Sequence, residues 1–367
     1  MYFIISLFLC TVLCLQSCNK SDASIGTKVS THKTQEDSTI KLLFVGDMMS
    51  HMPQVKAAWN PLSNTYEYKH WFQYIIDTIS QADITIANLE TPLAGEPYSG
   101  YPQFSAPDAF AMDLQAAGFD VLVTSNNHTV DKGFKGLSRT LDILDTLHIM
   151  HTGSFRSQIE KDSLYPLIII VKGISIALLN YTYGTNGIPV PKPGIVNLIN
   201  KEMIAKDIAK AKLLGAKIII PIMHWGVEYQ TKEHSSQTQI ASYCKELGAD
   251  AVIGMHPHVV QPIRYISNNQ GTMPVAYSLG NALANMRERY KDGGIMVECT
   301  ISKVSDTVRI ISTKDIPFWV WKGKPKHQDR IGYYMIPESF VDSLPPQDKK
   351  QAQLFFKDTR LILGKTQ

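Results

Sequence analysis

No stripe of lysine and arginine interleaved with aromatics runs through this chain, and its net charge is only +3. A nucleic-acid surface needs clustered cations to displace counterions from phosphates, so that class of partner is excluded. No repeat period of the solenoid or propeller kind is present. The apolar run Phe3 to Leu15 is too short to span a bilayer comfortably. Cysteine is scarce in the body. Cys10, Cys14 and Cys18 crowd the first 18 residues, leaving only Cys244 and Cys299 beyond them. A disulfide scaffold is therefore excluded. A Cys244–Cys299 bridge is one option; two separate buried thiols are the expectation, because free cysteine packs well in cores. What is present is ordinary for a globular protein: 367 residues, 44% hydrophobic and 19% charged. That is enough for one large domain or two smaller ones with a real core.

Residues 1–18 read as an export signal: an apolar stretch, then a cleavage site, with no Lys or Arg ahead of it. Leu15-Gln16-Ser17-Cys18 resembles a bacterial lipobox, although Gln16 is not the usual small or apolar residue. The plainer alternative is a secretory signal with an incidental cysteine. Lipidation of Cys18 is the expectation, which makes the protein an exported, membrane-anchored lipoprotein of the cell envelope. Residues 19–39 are rich in Ser, Thr, Lys and Asp and cannot bury enough apolar surface to fold. They read as a flexible tether.

From Ile40 the chain alternates apolar runs with amphipathic stretches. Strands are expected at Ile40–Val45, Asp83–Ala87, Phe119–Thr124, Ala216–Met223 and Ala249–Ile253, and a hairpin over Leu167–Asn180. Helices are expected at His70–Ala82, Pro107–Gly118, Asp131–Leu147, Asn200–Leu214 and Ser235–Leu247, with another around Pro346–Thr359. Beyond Val259 the alternation fades into strands of a more antiparallel sheet, ending near Ile311. Residues 40–315 are expected to form one domain, with 316–367 wrapped on it.

Several of these strands run out into polar chemistry. Gly46-Asp47, Asn88-Leu89-Glu90, Asn126-Asn127-His128, His224-Trp225-Gly226 and Gly254-Met255-His256-Pro257-His258 each place carboxylate, amide or imidazole groups at a strand end. Residues i and i+2 of an extended segment point the same way, so His256 and His258 can face one volume. His51 follows Asp47 by four residues and would share its face if Met48–His51 made a helical turn. Asn126, Glu228 and Asn281, the last in the turn Ser278–Asn281, are possible additional donors. The long aromatic, Gly and Pro loop Tyr181–Pro193 reads as a substrate rim. Mixed nitrogen and oxygen donors suit Zn²⁺, Mn²⁺ or Fe. The set Asp47, Glu90, Asn127, His224, His256 and His258, topped up by water, suffices for two ions about 3.5–4 Å apart.

The ordered motifs GD, NLE, NNH, HWGVE and HPH resemble the CapA family of capsule or poly-γ-glutamate synthesis proteins, itself similar to calcineurin-like metallophosphoesterases. The likeness covers roughly Ile40 to Ile311. It implies an α/β, four-layer α-β-β-α sandwich of two mixed sheets. It also implies Asp47 and His258 on a first metal, Asn127, His224 and His256 on a second, and Glu90 between them. His128 would then be the proton donor to the leaving group. Two positions depart from the wider superfamily, Met49 where a histidine is usual and Glu90 where an aspartate is usual. On this reading the chain is a metal-dependent, phosphoesterase-like hydrolase of an anionic envelope polymer or a phosphoester, with a capsule-synthesis complex as a candidate partner. The alternative is a non-enzymatic polymer-binding or export component that keeps a degenerate site.

Overall fold

The computed structural model describes residues 38–269 and 271–365. The expected signal, Cys18 and most of the tether lie outside the described residues. The last two tether residues, Ser38 and Thr39, begin the first strand instead.

Ser38–Met48 shows how this fold is built. Ile40, Leu42 and Phe44 point to one face, Leu43 and Val45 to the other, and both faces are buried. A strand covered on both sides must be apolar almost throughout. It lies inside an eight-stranded mixed sheet. On one side it pairs in parallel with Ile84–Leu89, followed by Val121–Val123 and Met150–Thr152. On the other it pairs antiparallel with Gly293–Val304, followed by Thr307–Gly323 and Gly332–Pro337. A second sheet of six strands holds Leu167–Val171, Ile174–Thr182, Ile218–His224, Val252–Met255 and the hairpin strands Ile263–Asn268 and Gly271–Ala276.

The sheets pack face to face. Phe44, Ile86, Val121 and Ile295 of the first meet Ile176, Leu178, Ile220 and Ile222 of the second. Outside the first sheet lie Phe110, Ala111 and Leu114 of helix Ala109–Ala116, with Trp71 and Phe72. Outside the second lie Ile204 and Ile208 of helix Lys201–Leu213, with Ala241 and Cys244 of helix Ser235–Glu246. The result is the expected α-β-β-α sandwich. Among the described residues no helix is long and apolar enough to cross a membrane.

Four expectations are corrected. Residues 70–82 do not form one helix; a 3₁₀ turn at Lys69–Phe72 is followed by a short helix at Ile76–Ser80. The Asp113 carboxylate accepts from the backbone N–H of both Tyr68 and Lys69 and fixes the chain in that turn. Met48–His51 is not helical either. The helix begins at Met52 with His51 as its N-cap, so Asp47 and His51 share no helical face. The strands after Val259 do not make one sheet: the 263–276 hairpin extends the second sheet and 293–337 extends the first. Finally, the strand Thr307–Gly323 runs straight through the expected boundary at 315/316. Phe318, Trp319, Tyr333 and Tyr334 are core residues of the first sheet, not a wrap. Cys244 and Cys299 are both free and buried, one outside the second sheet and the other between the sheets.

Candidate metal centre

In parallel strands with matched register, the C-terminal ends line up along one edge. Asp47 pairs with Asn88 and Met48 with Leu89 in the first sheet, and His224 pairs with Met255 in the second. The sandwich presses these two edges together. The backbone N–H of His256 donates to Asp47 Oδ2 at 3.2 Å, and Asn88 Nδ2 lies 3.3 Å from His224 Nδ1. Gly254 lets the second sheet's own edge pack closely: a Cβ there would stand 1.9 Å from the Tyr277 carbonyl oxygen and 2.5 Å from the Trp225 indole nitrogen. Two residues on, His256 and His258 take φ of +99° and +57°. Non-glycine residues in that region cost about 1–3 kcal/mol each and persist where the surroundings over-determine them.

Glu90 sits at the centre of the arrangement. Its Oε1 lies 3.5 Å from His224 Nε2 and 3.6 Å from His258 Nε2. Asp47, Glu90 and His258 bring one donor atom each within 4.8 Å of one another, and so do Glu90, His224 and His256. All five residues are buried. Asn127 Oδ1 is 2.8 Å from His224 Nε2. Two ligands about 2.0–2.2 Å from one ion lie roughly 3 Å apart, so this spacing suits a shared cation. His258 Nδ1 faces two oxygen acceptors, Asn281 Oδ1 at 3.0 Å and Asp47 Oδ2 at 3.4 Å. The proton therefore belongs on Nδ1, which leaves the Nε2 lone pair directed at Glu90.

The electrostatics suit a cation. Burial pushes the Glu90 carboxyl well above the usual carboxylate range, and the Asp47 charge adds to the shift. Asp47 is held below its ordinary value: burial alone would raise it, but His258, the Asn88 amide and the His256 N–H together outweigh burial. Burial drives His224 well below the ordinary imidazole value, and takes His256 down to about 3. Both rings thus stay neutral, the form in which an imidazole ligates a metal. Both oxygens of Glu90 and Nδ1 of His256 are buried without a hydrogen-bond partner. An unsatisfied buried polar group costs about 1–3 kcal/mol. Three acceptors left over in one volume fit a bound cation better than any protein donor.

The other candidates lie around this core. His128 is buried beside it, its Nδ1 2.8 Å from Asp131 Oδ2 and its ring edge-on to Phe104. Asn126 spends its amide on Asn88 Oδ1 and the Leu89 carbonyl and its oxygen on the His128 N–H. It holds the loops rather than facing the cluster. Asn281 clamps His258. His51 engages Gln54 and the Asn285 N–H through Nδ1 and joins none of the three-residue groups. Met49 packs with Phe104 and Ala284. Glu228 reaches His256 and His258 from the exposed side. From the loop expected to form a rim, Tyr183 lies 4.5 Å, ring to ring, from His256, and Asn186 accepts from the Asn127 amide.

Residues 41–286 match the family model described as "Bacterial capsule synthesis protein PGA_cap". The chain belongs to this family. The PGA_cap chain is 29% identical over 265 residues to the capsule biosynthesis protein CapA of Bacillus anthracis, covering 69% of this chain and 62% of that protein. It is 30% identical over 260 residues to the PGA biosynthesis protein CapA of Bacillus subtilis (strain 168), covering 68% and 64%. The match therefore spans less than two thirds of either relative. Among solved structures, the calcineurin-like phosphoesterase YfkN of Bacillus subtilis aligns with a TM-score of 0.45 at 13% identity, over 88% of this chain and 99% of that one.

Three residues of this PGA_cap chain that shape the centre were not singled out from the sequence. Asn88 joins Asp47, Asn126 and His224 in one network. Asp131 orients His128. Lys291 lies 4.4 Å over the Tyr229 ring and its carbonyl accepts from the Asn281 amide. Asp131 carries a local signal, an acid three residues after a strand-end histidine, and Asn88 opens the strand-end run Asn88-Leu89-Glu90.

Proposed function

We propose that this chain is an exported, membrane-anchored metal-dependent hydrolase that cuts a phosphoester or related bond of an anionic envelope polymer. The observation that carries the proposal is Glu90, a fully buried carboxylate with both oxygens unpartnered and shared by two three-donor groups. Asp47 and His258 would hold one divalent ion, and Asn127, His224 and His256 another, with Glu90 between them. The donor set suits Mn, Zn or Fe. Bound there, such a pair supplies a hydroxide nucleophile near neutral pH and offsets charge developing on the transferring group.

The side chains do the rest. Asp131 holds His128 by Nδ1, which leaves Nε2 as the end that can give a proton to a leaving oxygen. The carboxylate stabilises the imidazolium before that transfer. Tyr183 and Asn186 form the rim against which a polymer segment would lie. The substrate class in this reading is a capsule polymer such as poly-γ-glutamate, handled within a synthesis complex; the relatives' names, capsule biosynthesis and PGA biosynthesis protein, support the polymer class. Cys18 supports the anchor.

The test is elemental analysis of the purified protein joined to assays on generic phosphodiesters and polyglutamate. Stoichiometric metal, with turnover lost in His224→Ala and His256→Ala, supports the proposal; neither metal nor turnover sinks it. Conversion of Cys18 to Ala should release the protein from the membrane fraction.

One observation favours a second reading, a polymer-binding component without turnover. With Met49 packed away and His51 engaged elsewhere, the first ion has few protein donors. Polymer binding that survives His128→Ala, with no hydrolysis by the wild type, would select it.

A further inference from the structure

The segment after strand Ile218–His224 does not leave the site. The Trp225 N–H donates to the Met255 carbonyl at 3.0 Å, and the Tyr229 N–H donates to the Pro257 carbonyl at 2.8 Å. Gln261 Nε2 then donates to the carbonyls of Gln230 and Lys232. Residues 225–232 are therefore stitched along the His256-Pro257-His258 turn. Gly226 and Tyr229, at φ of +92° and +65°, bend the segment around Glu228. The Glu228 carboxylate consequently comes within 4.8 Å of donor nitrogens on both His256 and His258. Those imidazoles belong to different halves of the centre, since His256 groups with Glu90 and His224, and His258 with Glu90 and Asp47. Nδ1 of His256, itself 3% exposed, is buried without a partner in this same region.

We propose that Glu228 is a second carboxylate shared by the two halves of the centre, entering from the solvent side as Glu90 does from the interior, and exchangeable with an anionic substrate. The inference rests on the metal-centre reading above. Glu90 is locked in the core, whereas Glu228 is exposed and can move without opening a cavity. Two divalent ions against Asp47 and Glu90 leave a local charge of roughly +2, which Glu228 lowers to roughly +1. Its departure restores the stronger attraction for an incoming anion. In this way Glu228 keeps the ions bound between turnovers without blocking the mouth permanently.

The test is calorimetric titration of chelator-stripped full-length protein with Mn²⁺, comparing wild type, Glu228→Gln and Glu228→Asp, followed by titration of the Mn²⁺-loaded proteins with inorganic phosphate. Wild type should take up two ions. Glu228→Gln should weaken at least one binding event by about 10–100-fold, and Glu228→Asp should recover part of the loss. Phosphate should bind loaded Glu228→Gln more tightly than loaded wild type, because it no longer displaces a carboxylate. Wild-type Mn²⁺ affinities in Glu228→Gln would overturn the role of Glu228 while leaving the centre intact. A wild type that takes up no Mn²⁺ overturns both. Circular dichroism on each variant separates loss of the fold from loss of a ligand, and Glu228→Asp serves as the second variant should Glu228→Gln not fold.

Discussion

Asn281 grips His258 at both ends: its Oδ1 lies 3.0 Å from the ring Nδ1, and its Nδ2 donates to the His258 backbone carbonyl at 3.2 Å. Residue 281 lies in the strand Asn281–Leu283, which pairs in parallel with the strand bearing Asp47. The grip fixes both the tautomer and the ring plane of His258. Asn281→Ala should therefore weaken metal binding about 10–100-fold without removing a ligand. Calorimetric titration with Mn²⁺ checks this, and unchanged affinity would refute it.

Asp131 should matter for the rate and not for the metal. Asp131→Asn leaves all six candidate ligands in place but removes the charge that supports a protonated His128. The expected result is kcat lower by about 10²–10⁴, unchanged KM and metal content, and an altered pH–rate profile. Loss of metal along with the rate would instead make Asp131 a structural residue.

Glu90 makes the metal-free protein pH-sensitive. Its folded-state pKa lies well above the ordinary 4.5, with burial the leading cause. Its contribution to stability is thus fully present below that value and is lost as pH rises through the folded-state pKa. His256, at about 3 against 6.5, acts in the opposite sense: its contribution is present above 6.5 and is lost as pH falls toward 3. In chelator at neutral pH, Glu90→Gln should stabilise by about 1–3 kcal/mol, and the gain should shrink toward pH 4.5. Added Mn²⁺ should reverse the order, because the wild type gains more binding energy than the variant. Thermal melts across pH, with and without metal, decide the matter.

Removing residues 316–367 should abolish folding. The deletion cuts the strand Thr307–Gly323 in half and removes buried Phe318, Trp319, Tyr333 and Tyr334. Losing each such side chain costs about 3–5 kcal/mol, against a total stability of roughly 5–15 kcal/mol. Soluble protein with a cooperative melt from a 1–315 truncation would contradict this.

Much of the site could be read locally, because a buried strand is an apolar run and a functional side chain interrupts it where it ends. Asp47, Glu90, His224 and His256 all stand at such interruptions. The residues that orient them could not be read in this way. Asn88 resembled any loop amide until its bonds to Asp47 and Asn126 placed it. Asn281 acts on His258 across 23 positions. The 70–82 stretch has helical spacing, yet Asp113, 45 positions beyond Tyr68 in sequence, decides the turn with which it begins.

Sequence alone determined the sandwich's ingredients: which runs are buried on both faces, and which polar groups stand at their ends. Periodicity and composition are short-range properties, and burial acts on each segment as it forms. Only the tertiary structure decided that the ends of two different sheets meet. The bond from His256 to Asp47 spans 209 residues, and nothing local favours it. It exists because Phe44 and Ile86 pack against Ile220 and Ile222, which brings the carboxylates of one strand edge and the imidazoles of the other into one buried volume.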